Sequence, residues 1–89
     1  MNIYSGVEQN CLTLPKKIAI LYEDREITYR QLDEIVNRAA AGLRKIGVAE
    51  GQKVAILGWN SPEWLFTFYA ILKLGAVVVP INPDFVGKE

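Results

Sequence analysis

The chain has no histidine and one cysteine in 89 residues. A lone cysteine cannot close an internal disulfide, and without imidazoles neither a zinc nor a haem site has its usual ligands. Cys11 has no histidine to activate it and reads as inert. Ten basic and ten acidic residues cancel, with no block of like charge, so no footprint for nucleic acid or an anionic membrane is present. The longest apolar stretch, within residues 64 to 72, is broken by Thr67 and falls far short of the roughly 20 residues that span a bilayer. No transmembrane segment is expected. Seven glycines occur, yet none forms G-x-G-x-x-G or a glycine-rich loop followed by Lys-Ser or Lys-Thr, so no phosphate cradle of a known kind is legible. With no signal-peptide pattern at the N-terminus, these absences favour a reducing, cytoplasmic setting.

What is there is an ordinary globular composition, 51% apolar and 22% charged. There is room for one domain, and a chain of this size buries only about 60 to 65% of its unfolded surface. Residues 1 to 17 show no clear period. Residues 18 to 22 (IAILY) read as a strand, Glu23 and Asp24 as a turn, and residues 25 to 29 as a strand returning in a hairpin, although no glycine supports a tight primed turn.

The following helix is signposted at both ends. Thr28 and Gln31 have capping-box spacing, and Ile27 can staple onto Leu32. Leu32, Ile35, Val36, Ala39, Ala40, Leu43 and Ile46 form one stripe at helical period, with Arg30, Glu34, Arg38 and Lys45 off it. Gly47 ends the helix as a left-handed residue, with Arg44 and Lys45 in its last turn.

Residues 53 to 57 (KVAIL) read as a strand buried on both faces. A second helix follows Gly58-Trp59-Asn60, with Ser61 as N-cap, Pro62 at N1, Glu63 in the first turn and Gly75 as the stop. Residues 77 to 81 (VVVPI) read as a further buried strand, in which Pro80 implies a free side or the end of the ladder. The fold class is therefore α/β: a hairpin, a helix, then a βαβ unit with parallel strands. The second helix is apolar on nearly every face, through Trp64, Leu65, Phe66, Phe68, Tyr69, Ile71 and Leu72, and needs cover on two sides. Left uncovered, residues 61 to 74 are expected to drive self-association.

Chemistry is hard to find. The loop at residues 58 to 61 stands where open α/β sheets often bind ligands, but one glycine fits a plain βα turn as well. Trp59, Trp64, Phe66, Phe68 and Tyr69 read as core before they read as a stacking platform. Glu8, Glu23, Asp24, Glu26, Asp33, Glu34 and Glu50 offer no acid–base pair in an apolar cleft. Tyr29 and Arg30 could touch a ligand, yet the cap and staple already account for that junction. No catalytic, cofactor-binding or metal-binding residue is assigned.

Two motifs carry a resemblance. Ile27-Thr28-Tyr29-Arg30-Gln31-Leu32 resembles the first core motif of the AMP-binding, adenylate-forming enzymes, with Gln31 replacing the commoner Glu while keeping the cap chemistry. The run from Leu72 through Gly75 and Pro80 to Pro83 resembles the second. Gly51 to Ile56 and Asn60-Ser61-Pro62-Glu63-Trp64 are also similar to family sequence, so the likeness covers nearly all of residues 15 to 83. The superfamily holds acyl- and aryl-CoA ligases, peptide-synthetase adenylation domains and luciferases. Asn60 to Trp64 and Pro80-Ile81-Asn82-Pro83 look more like the CoA ligases.

The resemblance implies a fold and an activity. Residues 1–89 would be an incomplete N-terminal portion of the large AMP-binding domain of an acyl-CoA synthetase, with fatty acid metabolism among its settings. The last four residues carry no helix stop, strand end or linker composition, which fits a piece of a longer enzyme. Such a ligase activates a carboxylic acid with ATP and Mg²⁺ to an acyl-adenylate, then passes the acyl group to coenzyme A. The family's phosphate loop, its pockets and its catalytic lysine all come later, so no cofactor is expected in this chain and it is expected to be inactive alone. Its expected partner is the remainder of the parent enzyme. The alternative is a self-standing small α/β interaction module.

Overall fold

The computed structural model describes residues 4–57 and 61–81. Among these residues seven elements follow in order: α1 (Tyr4–Thr13), β1 (Ile18–Tyr22), β2 (Arg25–Thr28), α2 (Tyr29–Lys45), β3 (Lys53–Leu57), α3 (Pro62–Lys73) and β4 (Val77–Ile81).

α1 lies where the sequence shows no clear period. Gly6 and Asn10 weaken its helical signal, and tertiary contacts hold it. Tyr4 is 1% exposed and packs its ring 5.4 Å from that of Tyr69, while Val7 lies against the same cluster. Farther along, the Cys11 thiol donates to the Tyr29 carbonyl (3.3 Å) and Asn10 Nδ2 donates to Tyr29 Oη (3.3 Å).

β1 and β2 form the expected antiparallel hairpin, with Tyr22 opposite Arg25 and an irregularity between Ile18 and Ile20. The turn closes without glycine because Glu23 adopts φ 54°, a left-handed conformation that costs a side-chain-bearing residue some strain. The segment before β1 then caps the next helix: Tyr29 N–H donates to the Lys17 carbonyl (2.9 Å) and Arg30 N–H to that of Pro15 (3.0 Å).

Thr28 completes the start of α2. Gln31 N–H donates to Thr28 Oγ1 (3.2 Å), and Thr28 N–H donates to Gln31 Oε1 (2.9 Å). All four N–H groups that a helix start leaves open, those of Thr28, Tyr29, Arg30 and Gln31, thus have partners. Ile27 and Leu32 are both buried, as the staple requires. Leu32, Val36 and Ala40 are the fully buried line of α2, with Ile35, Ala39 and Leu43 partly buried beside them. Ile46 is not part of that stripe: it is the C-cap residue and 78% exposed, because the chain turns away there. Gly47 (φ 101°) permits the turn, and Val48 N–H returns to the Leu43 carbonyl (3.0 Å) in a Schellman closure.

α3 repeats this design. Trp64 N–H donates to Ser61 Oγ (3.2 Å) at its start. At its end Gly75 N–H donates to Leu72 O (3.0 Å) and Ala76 N–H to Ile71 O (3.2 Å). Gly75 has φ 76°, and its carbonyl accepts from Gly51 N–H (3.0 Å), which ties this turn to the one before β3.

β3 and β4 pair in parallel from Lys53 opposite Val77 to Leu57 opposite Ile81. Pro80 stands in β4 opposite Ile56, and among the described residues β3 is the neighbour of β4. Burial on both faces is not observed. Val54, Ile56 and Val78 are half-buried, whereas Lys53, Ala55, Val77 and Val79 are exposed on the other face. Among the described residues one layer, containing α3, packs on this pair, so alternate residues remain in water.

The apolar circumference of α3 also finds a different outcome. Among its residues only Glu63 is exposed. Phe66, Ala70 and Ile71 are buried, the first two in the cluster with Leu32, Val36 and Ala40. α1 provides the additional cover that the sequence reading lacks, through Tyr4 on Tyr69. Among the described residues the exposed large apolar side chains lie elsewhere, on the hairpin (Ile18, Leu21, Tyr22), at Leu12, Leu14 and Ile46, and on β4.

Candidate functional site

The strand-to-helix loop after β3 stands where open α/β sheets often bind ligands. Residues 58 to 60, including Trp59, lie outside the described residues. What is described at its edge is already engaged: Ser61 Oγ caps α3, and Glu63 in the first turn holds Arg25 at 2.7 Å. The Arg25 hydrogen bond, aided by a bond to backbone, holds the Glu63 carboxyl below the ordinary carboxylate range. The positive end of the α3 dipole therefore faces a carboxylate of its own chain.

The aromatic residues of α3 pack among themselves. Trp64 meets Phe68 edge-on at 5.3 Å and 74°, and Phe68 stacks on Tyr69 at 5.8 Å. Phe66 is buried in the core. Burial pushes up the phenols of Tyr4 and Tyr69, so both stay protonated at neutral pH. Tyr4 Oη and Trp64 Nε1 are buried without a hydrogen-bond partner among the described residues. Phe66 is core and Tyr69 packs against it, as the composition of the helix suggests, whereas Trp64 and Phe68 are half-buried.

A polar cleft of about 350 Å³ opens where α1, α2 and α3 meet, lined in part by Glu8, Cys11, Asp33, Asn37 and Lys73. Sequence reading does not single out this group, since its members are scattered over three elements. Lys73 organises it: its ammonium donates to Asn37 Oδ1, stands 3.5 Å from the Glu8 carboxylate and lies 5.6 Å from the centre of the Tyr4 ring. Such contacts hold α1 to the two longer helices. Burial, then the charge of Asp33, pushes the Cys11 thiol up, against a smaller opposite pull from Lys73. The neutral thiol is thus favoured, which is the wrong state for a nucleophile.

The remaining acids among the described residues, Glu23, Asp24, Glu26, Glu34 and Glu50, are exposed. Among the described residues no group of three or more His, Cys, Asp or Glu is placed to hold a metal ion. Tyr29 and Arg30 use their backbone N–H groups to join α2 to the preceding loop, and the Tyr29 hydroxyl accepts from Asn10. What the arrangement does chemically is structural: it closes helix ends and locks α1 to α2 and α3.

Comparison with known proteins decides the family. The model of the AMP-binding enzymes matches residues 7–89. The chain belongs to the AMP-binding enzyme family. Indoleacetate–CoA ligase of Aromatoleum aromaticum is 38% identical over 89 residues, 100% of this chain and 18% of that ligase. A mycosubtilin synthase polypeptide of Bacillus subtilis is 41% identical over 83 residues, 93% of this chain and 3% of the synthase. The chain therefore spans less than a fifth of either relative. In solved structures, the N-terminal subdomain of Klebsiella oxytoca NpsA superimposes with a TM-score of 0.86 at 31% identity, over 97% of this chain and 24% of that one. That subdomain has also been solved in complex with 3-hydroxyanthranilyl-AMSN.

In this chain both sequence motifs have plain physical roles, apart from residues 82 and 83, which lie outside the described residues. Ile27 to Leu32 is a cap with its staple, and Leu72 to Ile81 is a Schellman closure leading into β4. The α/β architecture expected from the sequence is the one seen in AMP-binding N-terminal domains.

Proposed function

We propose that this chain is the opening part of the large N-terminal domain of an acid:CoA ligase. The parent enzyme would activate a carboxylic acid with ATP and Mg²⁺ to an acyl-adenylate, then transfer the acyl group to the thiol of coenzyme A in the cytoplasm. The observation that carries this reading is the family match over residues 7–89, supported by likeness to a CoA ligase along the full chain. Asn60 to Trp64 and Pro80 to Pro83 favour the CoA-ligase branch.

Within that reaction the present residues form a frame. Gly47, Gly51 and Gly75 stand at turns and helix ends, and the start of α3 is taken by Glu63 with Arg25. Nucleotide, metal and coenzyme A would be held by other parts of the parent enzyme, which is the partner this chain requires. A peptide-synthetase adenylation domain is the second reading, favoured by 41% identity to the mycosubtilin synthase.

The acyl acceptor separates the two. The intact protein is incubated with ATP, Mg²⁺ and a panel of aliphatic and aryl carboxylic acids, with either coenzyme A or a phosphopantetheinyl carrier protein. Acyl-CoA formation supports the ligase, whereas transfer of amino acids to the carrier alone overturns it.

A further inference from the structure

We draw no further inference here: the strongest candidate, the polar cleft between α1, α2 and α3 where Glu8, Cys11, Asp33, Asn37 and Lys73 meet, rests on a lone cysteine that donates to a backbone carbonyl and a lysine already engaged by Asn37 and Glu8, with no second observation that points to a ligand.

Discussion

The Arg25 guanidinium lies 2.7 Å from the Glu63 carboxylate, joining the first residue of β2 to the first turn of α3 across 38 positions of sequence. No local pattern in the sequence pairs these two residues. The contact fixes the hairpin beside the start of α3, where Ile20, Leu21 and Tyr22 line an apolar groove with Pro62, Trp64 and Leu65.

Glu63 titrates below its ordinary value of 4.5 in the folded chain, chiefly because Arg25 hydrogen-bonds the ionised form. A lowered folded pKa gives a contribution that is complete above the ordinary carboxylate range and lost as pH falls through the folded value. The pair is exposed, so the contribution is small and screened by salt. A double-mutant cycle with Arg25→Ala and Glu63→Gln in the intact protein should show weak coupling at pH 7 that disappears in acid or high salt. Coupling that is unmoved by high salt and by full protonation of the carboxylate would contradict the assignment.

The burial of α2 predicts a sharp contrast between two apolar residues of the same sequence stripe. Leu32 is 2% exposed and Ile46 is 78% exposed. Leu32→Ala should cost about 2 to 5 kcal/mol through lost transfer energy and a residual cavity. Ile46→Ala should stay within about 0.5 kcal/mol. Urea unfolding of the intact protein measures both, and equal midpoints would show the end of α2 to be wrongly placed.

The outer face of β3 and β4 leads to a different expectation. Val77 and Val79 are 47% and 40% exposed on one side of a parallel pair, a type of sheet that is ordinarily covered on both faces. The 89-residue chain alone should self-associate and bind ANS at micromolar concentration. Replacing both valines by lysine should reduce scattering and dye binding if this face is responsible. Should the double variant scatter as before while Leu21→Lys abolishes scattering, the hairpin would be the sticky surface instead.

The parts that are legible in the sequence are those with local causes. Thr28 and Gln31 satisfy each other within one turn, Ser61 caps Trp64, and Gly47 and Gly75 take up positive φ, so each signal is contained within a few residues. α1 is hidden although Tyr4, Val7 and Cys11 fall at i, i+3 and i+7, because a short helix with Gly6 and Asn10 depends on its packing for stability. The cover of α3 is hidden with it. β4 poses another problem, since a run of apolar residues states that burial is wanted but not which neighbour provides it. The polar cleft around Lys73 is illegible for the same reason: Glu8, Asn37 and Lys73 meet only after three helices have packed.

The central claim is that these residues frame an adenylate-forming enzyme without supplying its chemistry. Acid-dependent exchange of labelled pyrophosphate into ATP tests it most directly, run with the purified 89-residue chain and with the intact protein under the same conditions. Exchange is predicted for the intact protein and not for the chain alone, whose sequence holds no glycine-rich loop followed by Lys-Ser or Lys-Thr to position a triphosphate. Acid-dependent exchange by the 89-residue chain alone would contradict the account.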